Sequence, residues 1–235
     1  MLLAINDLNT YYEESYILQG ISLKIDSGEV VSLLGRNGVG KTTTLKSIIG
    51  LVTPRSGQIL FKGQNVFGLP SYEIANLGIG YVPEDRRIFP RLTVRENLLI
   101  GLKPWQKKEK NGWTVEKIYN YFPALKDRDK QKGAYLSGGE QQMLTIARTL
   151  MGNPDVMLLD EPTEGLAPKI VETVEQVIQD IHQHGMSILL VEQNMRVALR
   201  QASRIYVMSK GTIVFYGTGQ ELKEAPEIRQ KYLEV

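Results

Sequence analysis

The chain has 235 residues, of which 42% are hydrophobic and 23% charged, and its formal net charge is +2. This length and composition allow one well-packed domain, and the small charge gives no electrostatic case for a nucleic-acid partner, so we expect none. The lack of cysteine excludes disulfides, thiolate catalysis and cysteine metal sites. Polar residues follow Ile5 too soon for a signal peptide, and no apolar run approaches the length needed to cross a bilayer.

Alternating apolar and polar residues mark the first part of the chain. This alternation predicts antiparallel strands within Leu8 to Ile25 and at Gln58 to Lys62, and again at Thr212 to Tyr216 after the turn at Lys210 and Gly211. Short unbroken apolar runs instead predict buried strands of a parallel sheet. These runs are Val30 to Leu34, Val156 to Leu159, Ser187 to Val191 and Ile205 to Met208. The predicted fold class is therefore α/β with an antiparallel edge.

A glycine-rich loop follows the first apolar run and precedes a helical pattern from Thr44 to Ile49. Its sequence fits GxxxxGKT, the loop that wraps nucleotide phosphates in P-loop NTPases, and so predicts their RecA-like core. Glycines let backbone amides approach an anion, Lys41 reaches the β- and γ-phosphates, and the Thr42 hydroxyl can ligate Mg²⁺. We assign nucleotide binding to Gly35, Arg36, Asn37, Gly38, Val39, Gly40, Lys41, Thr42 and Thr43.

Between about Glu84 and Asn153 the pattern changes to helical segments and loops without strong strands. We expect a single domain, residues 1–235, with a core of about 1–83 and 154–235 and an inserted helical subdomain of about 84–153. The charge run from Lys107 to Lys110 fits a solvated loop better than a lipid or nucleic-acid contact, because Glu109 interrupts it.

A stripe of apolar residues with helical spacing predicts a helix packed against the sheet and ending near Gly185. The stripe comprises Ile170, Val174, Val177, Ile178 and Ile181. We expect His182 and His184 to be exposed residues at the end of this helix rather than ligands, because the chain has only 2 histidines.

The second apolar run ends in two carboxylates, Asp160 and Glu161. A parallel strand delivers the residues at its carboxyl end to the sheet edge where phosphates bind. We therefore expect Asp160 to hold Mg²⁺ through water and Glu161 to orient and deprotonate an attacking water. The second role would make the chain a hydrolase.

The motif Leu136-Ser137-Gly138-Gly139-Glu140-Gln141 precedes a helix with an apolar face. Taken alone it predicts only a capped helix, whose serine hydroxyl, amides and dipole can hold an anion. Set between the phosphate loop and the acidic strand, it makes the chain resemble the ATP-binding cassette ATPases, whose signature is LSGGQ or LSGGE. The resemblance covers nearly the whole chain.

The resemblance implies a head-to-tail dimer in which ATP lies between the phosphate loop of one subunit and the signature of the other. The implied cofactors are ATP and Mg²⁺. The signature residues Ser137, Gly138, Gly139 and Glu140 would contact the partner's ATP, with Ser137 and Gly139 at the γ-phosphate, and Gly165 to Pro168 would lie at the dimer seam. Tyr12 would stack on adenine. Packing of Tyr12 beneath the loop is the alternative, because Tyr11 and Tyr16 are nearby.

Two positions depart from the pattern of this family. Glu84 stands where glutamine is usual, and its carboxylate can still reach Mg²⁺ beside Thr42 and Asp160. Gln193 stands where a switch histidine is usual; it can donate a neutral hydrogen bond to the γ-phosphate but cannot become cationic. We expect Gln193 to act with Glu161 in catalysis. We also expect a second ATPase subunit that carries the histidine, which favours a heterodimer over a homodimer.

The segments VPEDRRIFPRLTV, LSGGEQQM, GLAP and VEQN are together similar to the smaller ATP-binding subunit of branched-chain amino-acid importers. The urea importer subunit is a close alternative. A lipid or lipopolysaccharide exporter subunit fits less well, because the VPEDRR and VEQN segments resemble the importer branch. A soluble ATPase of ribosomes or DNA fits less well because the chain has no second cassette or long coiled-coil insertion. The resemblance implies a peripheral subunit at the cytoplasmic face of the inner membrane that drives separate transmembrane permease chains, with Glu84 to Leu92 beside them.

Overall fold

The structure, a computed structural model, describes residues 1–103 and 112–234. The charge run at Lys107 to Lys110 lies outside these residues. The strands are β1 Leu3–Tyr12, β2 Ser15–Ile25, β3 Val30–Leu34, β4 Ser56–Phe61, β5 Gln64–Asn65, β6 Ile79–Val82, β7 Val156–Asp160, β8 Ser187–Glu192, β9 Arg204–Ser209 and β10 Thr212–Gly217. The helices are α1 Lys41–Ile48, α2 Ser71–Leu77, α3 Val94–Ile100, α4 Val115–Tyr121, α5 Pro123–Lys126, α6 Gly138–Met151, α7 Pro168–Gln183, α8 Met195–Gln201, α9 Gly219–Lys223 and α10 Pro226–Tyr232.

The strands form two sheets. Six of them, in the order β10-β9-β3-β8-β7-β6, make a sheet in which every neighbouring pair is parallel except β10 with β9. Strands β2, β1, β4 and β5 form a separate antiparallel sheet. The predicted parallel strands and the antiparallel edge at β10 are confirmed. Strand β6 lies outside the predicted set, because Gly80 and Tyr81 interrupt its apolar pattern.

Apolar side chains cover both faces of the parallel sheet. On one face, α6 and α7 pack against strand residues that include Leu159 and Leu190. On the other face, α1 and the antiparallel sheet pack against residues that include Leu33 and Leu189. Burial on both faces explains why these strands are continuous apolar runs in the sequence.

Helices α3 to α6 lie between β6 and β7. The described residues between those two strands form no further strand, and their β structure is limited to the isolated bridge of Thr93 with Lys132. Helix α7 carries the predicted stripe. His184 is exposed as expected, whereas His182 is partly buried, because its ring lies over the following turn with Nδ1 3.4 Å from the Met186 carbonyl oxygen. Within the described ranges, no helix is both long enough and apolar enough to cross a bilayer.

Candidate nucleotide-binding site

The phosphate loop leaves the carboxyl end of β3, which lies inside the parallel sheet between β8 and β9. Its first glycine approaches β9 so closely that a Cβ on Gly35 would stand 2.5 Å from the Met208 carbonyl oxygen. Gly40 has a φ of 110°, and a Cβ there would lie 2.7 Å from Met208 Cε and 2.9 Å from Leu18 Cδ2. Gly35 therefore requires glycine for steric reasons, because the close atom is backbone, whereas Gly40 requires it chiefly for its backbone conformation.

Helix α1 begins directly after this loop, and its N-terminus is open. Gly40 caps the helix without a side-chain hydrogen bond, and the first turn contains no acidic residue. The first amides of a helix have no partner within it and lie at the positive end of its dipole. The loop itself is fastened at Val39, whose carbonyl oxygen accepts the Gly211 amide at 3.0 Å. The N-terminus of α1 is therefore arranged to receive an anion.

The Lys41 ammonium lies at the mouth of the loop, although its side chain is only 3% exposed. Its Nζ donates to the carbonyl oxygens of Gly35 at 2.8 Å and Arg36 at 2.9 Å. It also pairs with Glu161 Oε1 at 3.0 Å. Since a buried charge needs partners, these three oxygens hold the ammonium in place, and one of them belongs to the predicted base.

Asp160, at the end of β7, connects the phosphate loop to β6. Thr42 Oγ1 donates to Asp160 Oδ1, and Tyr81 Oη donates to Asp160 Oδ2, both at 2.9 Å. Burial raises the pKa of Asp160, while the hydrogen bonds from Tyr81 and Thr42 oppose that rise. Tyr81 is a site residue that the sequence did not indicate, because its role depends on the pairing of β6 with β7.

Acidic side chains crowd the loop that follows β7. Glu161 has a left-handed φ of 45°, and its amide donates to the Val191 carbonyl oxygen at 3.0 Å. A hydrogen bond with Glu161, partial desolvation, and the charges of Glu161 and Glu84 raise the pKa of Glu164 to about 7. Carboxylates this close disfavour one another's ionised forms, which is why the proton on Glu164 is held more tightly than usual.

A further carboxyl group is buried beside this loop. Glu192, the last residue of β8, is 2% exposed. Its Oε1 accepts the Thr163 hydroxyl at 2.8 Å. Burial is the main cause that raises the pKa of Glu192 to about 7. The sequence carried one signal for it, a glutamate that ends an otherwise apolar strand.

These elements enclose a cavity of about 340 Å³. Tyr12, 43% exposed, and Ile17 line one side, whereas Tyr11 and Tyr16 stack on each other with ring centroids 4.3 Å apart. Tyr12 therefore faces the cavity and is not packed beneath the loop. The other lining residues are Asn37, Gly38, Gly40, Lys41, Thr42, Thr43, Glu84, Glu161 and Glu164. Gln193 is exposed and is not among the lining residues.

The signature residues do not line this cavity. Ser137 caps α6: its hydroxyl accepts the Glu140 amide at 3.4 Å, and Glu140 Oε2 accepts both the amide and the hydroxyl proton of Ser137 at 2.8 Å. The predicted helix cap at Ser137 is therefore present, and Glu140 completes it as a capping box. The amides of Gly138 and Gly139 make no hydrogen bond to another described residue.

The oxygen atoms around Thr42 fit Mg²⁺. Thr42 Oγ1 and Asp160 Oδ1 are neighbouring hard oxygen donors, and Glu84 lies in the same cavity as Thr42. Among the described residues, no cluster of three or more histidine or acidic side chains is arranged to hold a metal ion by itself. This composition suits an ion that takes one or two protein oxygens and obtains the rest from phosphates and water.

Comparisons with known proteins agree with this geometry. A family model described as ABC transporter matches residues 18–164. BraG of Pseudomonas aeruginosa, a high-affinity branched-chain amino acid transport ATP-binding protein, is 41% identical over 232 residues, which cover 99% of each chain. LptB of Haemophilus influenzae, a lipopolysaccharide export system ATP-binding protein, is 36% identical over 238 residues, covering 99% of this chain and 97% of LptB.

Solved structures give the same result. A nucleotide-free ATP-binding cassette from an ABC transporter superposes with a TM-score of 0.83 at 27% identity, covering 96% of this chain and 95% of that chain. The dimeric structure of MJ0796, a bacterial ABC transporter cassette, superposes with a TM-score of 0.78 at 27% identity, covering 92% of this chain and 98% of that one.

The fold and the loop between β3 and α1 thus define the class of P-loop nucleotide-binding proteins. Within that class, the chain belongs to the ABC transporter family and is an ATPase domain of that family. The expected family, fold class and enzyme class are confirmed.

Proposed function

We propose that this chain is the energy-coupling ATPase subunit of a membrane importer and that the imported solute is a branched-chain amino acid. One observation carries the proposal: a single cavity brings together the phosphate loop, Lys41 and Glu161, while the signature lies outside it. The identity to BraG, 41% over 99% of both chains, supports the solute.

Within the cavity, the amides of α1 and the Lys41 ammonium would bind the β- and γ-phosphates, and Tyr12 would stack on adenine. Thr42, Asp160 and Glu84 would hold Mg²⁺, which neutralises phosphate charge when bound. Glu161 would take a proton from the attacking water as its oxygen bonds to the γ-phosphorus and the bond to ADP breaks. Since Lys41 now pairs with Glu161, the phosphates would compete for Lys41 and release the carboxylate.

The signature supports a second subunit as the partner. Its amides at Gly138 and Gly139 are free of hydrogen bonds to other described residues and are not part of the cavity, so a phosphate held by another subunit could reach them. The dimeric structure of MJ0796 supports the pairing of two such subunits. Because Gln193 cannot carry the charge of a histidine, we favour a partner that differs from this chain.

Permease chains would dock beside helix α3 and the loop from Glu84 to Leu92. Apolar side chains are exposed on and after α3, with Leu99, Ile100 and Leu102 between 42% and 50% exposed, and Phe89 is 44% exposed on the loop from Glu84 to Leu92. Such a patch is typical of a protein contact. It would hold the chain on the cytoplasmic face of the membrane as a peripheral subunit.

The test is purification of the chain with the proteins that accompany it in membranes, followed by reconstitution into vesicles. We expect ATP-dependent uptake of labelled leucine, isoleucine or valine. The Glu161→Gln variant should bind ATP but abolish uptake, while Glu172→Gln, an exposed acid on α7, should leave it unchanged. Uptake of urea alone would overturn the proposed solute, and normal turnover of Glu161→Gln would remove the base.

Lipopolysaccharide export is the second candidate function, because LptB is 36% identical over nearly the full length of both chains. The same membrane purification separates the two. Copurified lipopolysaccharide and export permeases, without amino-acid uptake, would favour it.

A further inference from the structure

Three loops meet at the end of β8. The phosphate loop leaves β3 on one side of it, and the loop that carries Glu161 leaves β7 on the other side. The loop that carries Gln193 continues from β8 itself. The residue at this junction is Glu192, which pairs with Leu34 in the β3–β8 register.

Glu192 contacts each of the three loops. Its backbone carbonyl oxygen accepts the amide of Gly35, the first residue of the phosphate loop, at 3.3 Å. Its Oε1 accepts the Thr163 hydroxyl at 2.8 Å, in the loop after β7. Its Oε2 accepts the Asn194 amide at 3.4 Å, in the loop that carries Gln193.

The position of Glu161 needs such support. A non-glycine residue at a φ of 45° keeps that conformation only when its surroundings fix it. One restraint is the bond from the Glu161 amide to the Val191 carbonyl oxygen at 3.0 Å. The second is the Thr163 hydroxyl, two residues further on, which is bound by a buried carboxyl group. Both restraints come from the last two residues of β8.

We infer that Glu192 is a positioning residue for ATP hydrolysis, whose side chain ties the Glu161 loop to the Gln193 loop at the edge of the phosphate loop. This inference rests on the proposed role of Glu161 as the base. Glu192 does not line the nucleotide cavity, so it acts through the residues that it holds. Its loss should therefore lower the rate of the chemical step and leave ATP binding nearly unchanged.

The test measures kcat and KM for ATP in the assembled transporter. Glu192→Ala and Thr163→Val should each lower kcat about tenfold, with KM changed by less than about twofold, because each removes a buried hydrogen bond to a carboxyl group. The double variant should be no slower than Glu192→Ala, since both single changes break the same hydrogen bond between Thr163 and Glu192. Glu192→Gln keeps an oxygen acceptor and should recover most of kcat.

The matched control is Glu175→Ala. Glu175 is another buried glutamate, 3.2 Å from the Arg200 guanidinium, on α7 and outside the cavity. This variant should lower the melting temperature without lowering kcat. If Glu192→Ala does not fold, Thr163→Val and Glu192→Gln carry the test.

Three results would overturn the inference: folded Glu192→Ala or Thr163→Val at wild-type kcat, additive losses in the double variant, or Glu192→Gln no faster than Glu192→Ala. Glu161→Gln, assayed alongside, distinguishes a failure of the proposed base role of Glu161 from a failure of the positioning role of Glu192. Its normal turnover would refute the proposed base, whereas an inactive Glu161→Gln with fully active Glu192 and Thr163 variants would refute the positioning role alone.

Discussion

Helices α1 and α6 both follow glycine-rich sequences, yet their N-termini differ. Helix α1 has a glycine cap, no side-chain hydrogen bond at the cap and no acid in its first turn. Helix α6 has a serine cap and a glutamate that returns the hydrogen bond. One N-terminus is therefore open to an anion, while the other is partly satisfied by its own side chains.

The acids near the two helices differ in the same way. Burial raises the pKa of Asp160 and Glu192 beside the phosphate loop. Near the signature, burial of Glu140 is outweighed by hydrogen bonds from Ser137 and the charge of Arg128, so the pKa of Glu140 is lowered. The acids beside the phosphate loop are thus buried with raised pKa values, whereas the acid beside the signature is already stabilised by Ser137 and Arg128.

The largest effect is expected at Lys41. Lys41→Ala removes the buried cation from the open N-terminus and should weaken ATP binding at least about a hundredfold. Equilibrium binding of a fluorescent ATP analogue to the chain measures this loss. Lys46→Ala, in the last turn of the same helix, is the control and should bind normally. Equal affinity of Lys41→Ala and wild type would show that α1 is not the phosphate site.

The pH dependence of stability should follow Glu192. Its pKa is raised from 4.5 to about 7, so the folded state binds the extra proton. The contribution of Glu192 to the free energy of unfolding is complete below about pH 4.5 and is lost as the pH rises through about 7. This contribution is on the order of 3 kcal/mol at most. Urea unfolding between about pH 5 and 8 should show a steeper decline for wild type than for Glu192→Gln. Identical slopes would contradict the buried titration.

Ser137→Ala tests the capped helix. Loss of the cap should cost about 1 kcal/mol of unfolding free energy and, if the proposed γ-phosphate contact of Ser137 is made, lower ATP turnover about tenfold. Thr218→Ala removes an equivalent capping box from α9 and should cost similar stability without loss of turnover. Unfolding curves and steady-state ATPase rates measure both. Equal ATPase rates of the Ser137→Ala and Thr218→Ala variants would show that Ser137 takes no part in ATP hydrolysis.

Gly38→Ala tests the backbone conformation of the phosphate loop before α1. Gly38 has a φ of 78° and open space where a Cβ would stand, and Gly63 has the same environment with a φ of 79°. Alanine at either position should cost about 1 kcal/mol of stability, because both adopt the left-handed conformation. Only Gly38→Ala should also weaken ATP binding, by about tenfold, since it lies in the loop. Calorimetric titration distinguishes them, and equal affinities would count against the loop geometry.

The smallest effect is expected for Glu140→Gln. The side-chain oxygen of glutamine can still accept the hydrogen bonds of the cap, while the substitution removes the negative charge at the N-terminus of α6. The loss of this charge should favour phosphate binding there by about two- to fivefold. ATP-dependent association of Glu161→Gln subunits, with and without Glu140→Gln, measures the change by light scattering. Weaker association in the double variant would show that the charge of Glu140 assists the contact.

Local sequence pattern predicted the parts of the fold and site that depend on neighbouring residues. The phosphate loop needs only glycines, Lys41 and an adjacent strand and helix, so its spacing is sufficient. Tyr81 and Glu192 escaped prediction because their partners, Asp160 and Thr163, are distant in the chain and meet only through the order of strands. The separate antiparallel sheet escaped for the same reason, since alternation predicts a strand but not its partner.

The hydrogen bond from the Gly211 amide to the Val39 carbonyl oxygen provides a built-in reporter. An amide proton exchanges with deuterated solvent only when its bond opens. Gly211 is not among the residues that line the cavity. Its deuterium uptake therefore reports the opening of the hydrogen bond that joins Gly211 to the phosphate loop at Val39. The measurement uses the unmodified chain, without a dye or spin label.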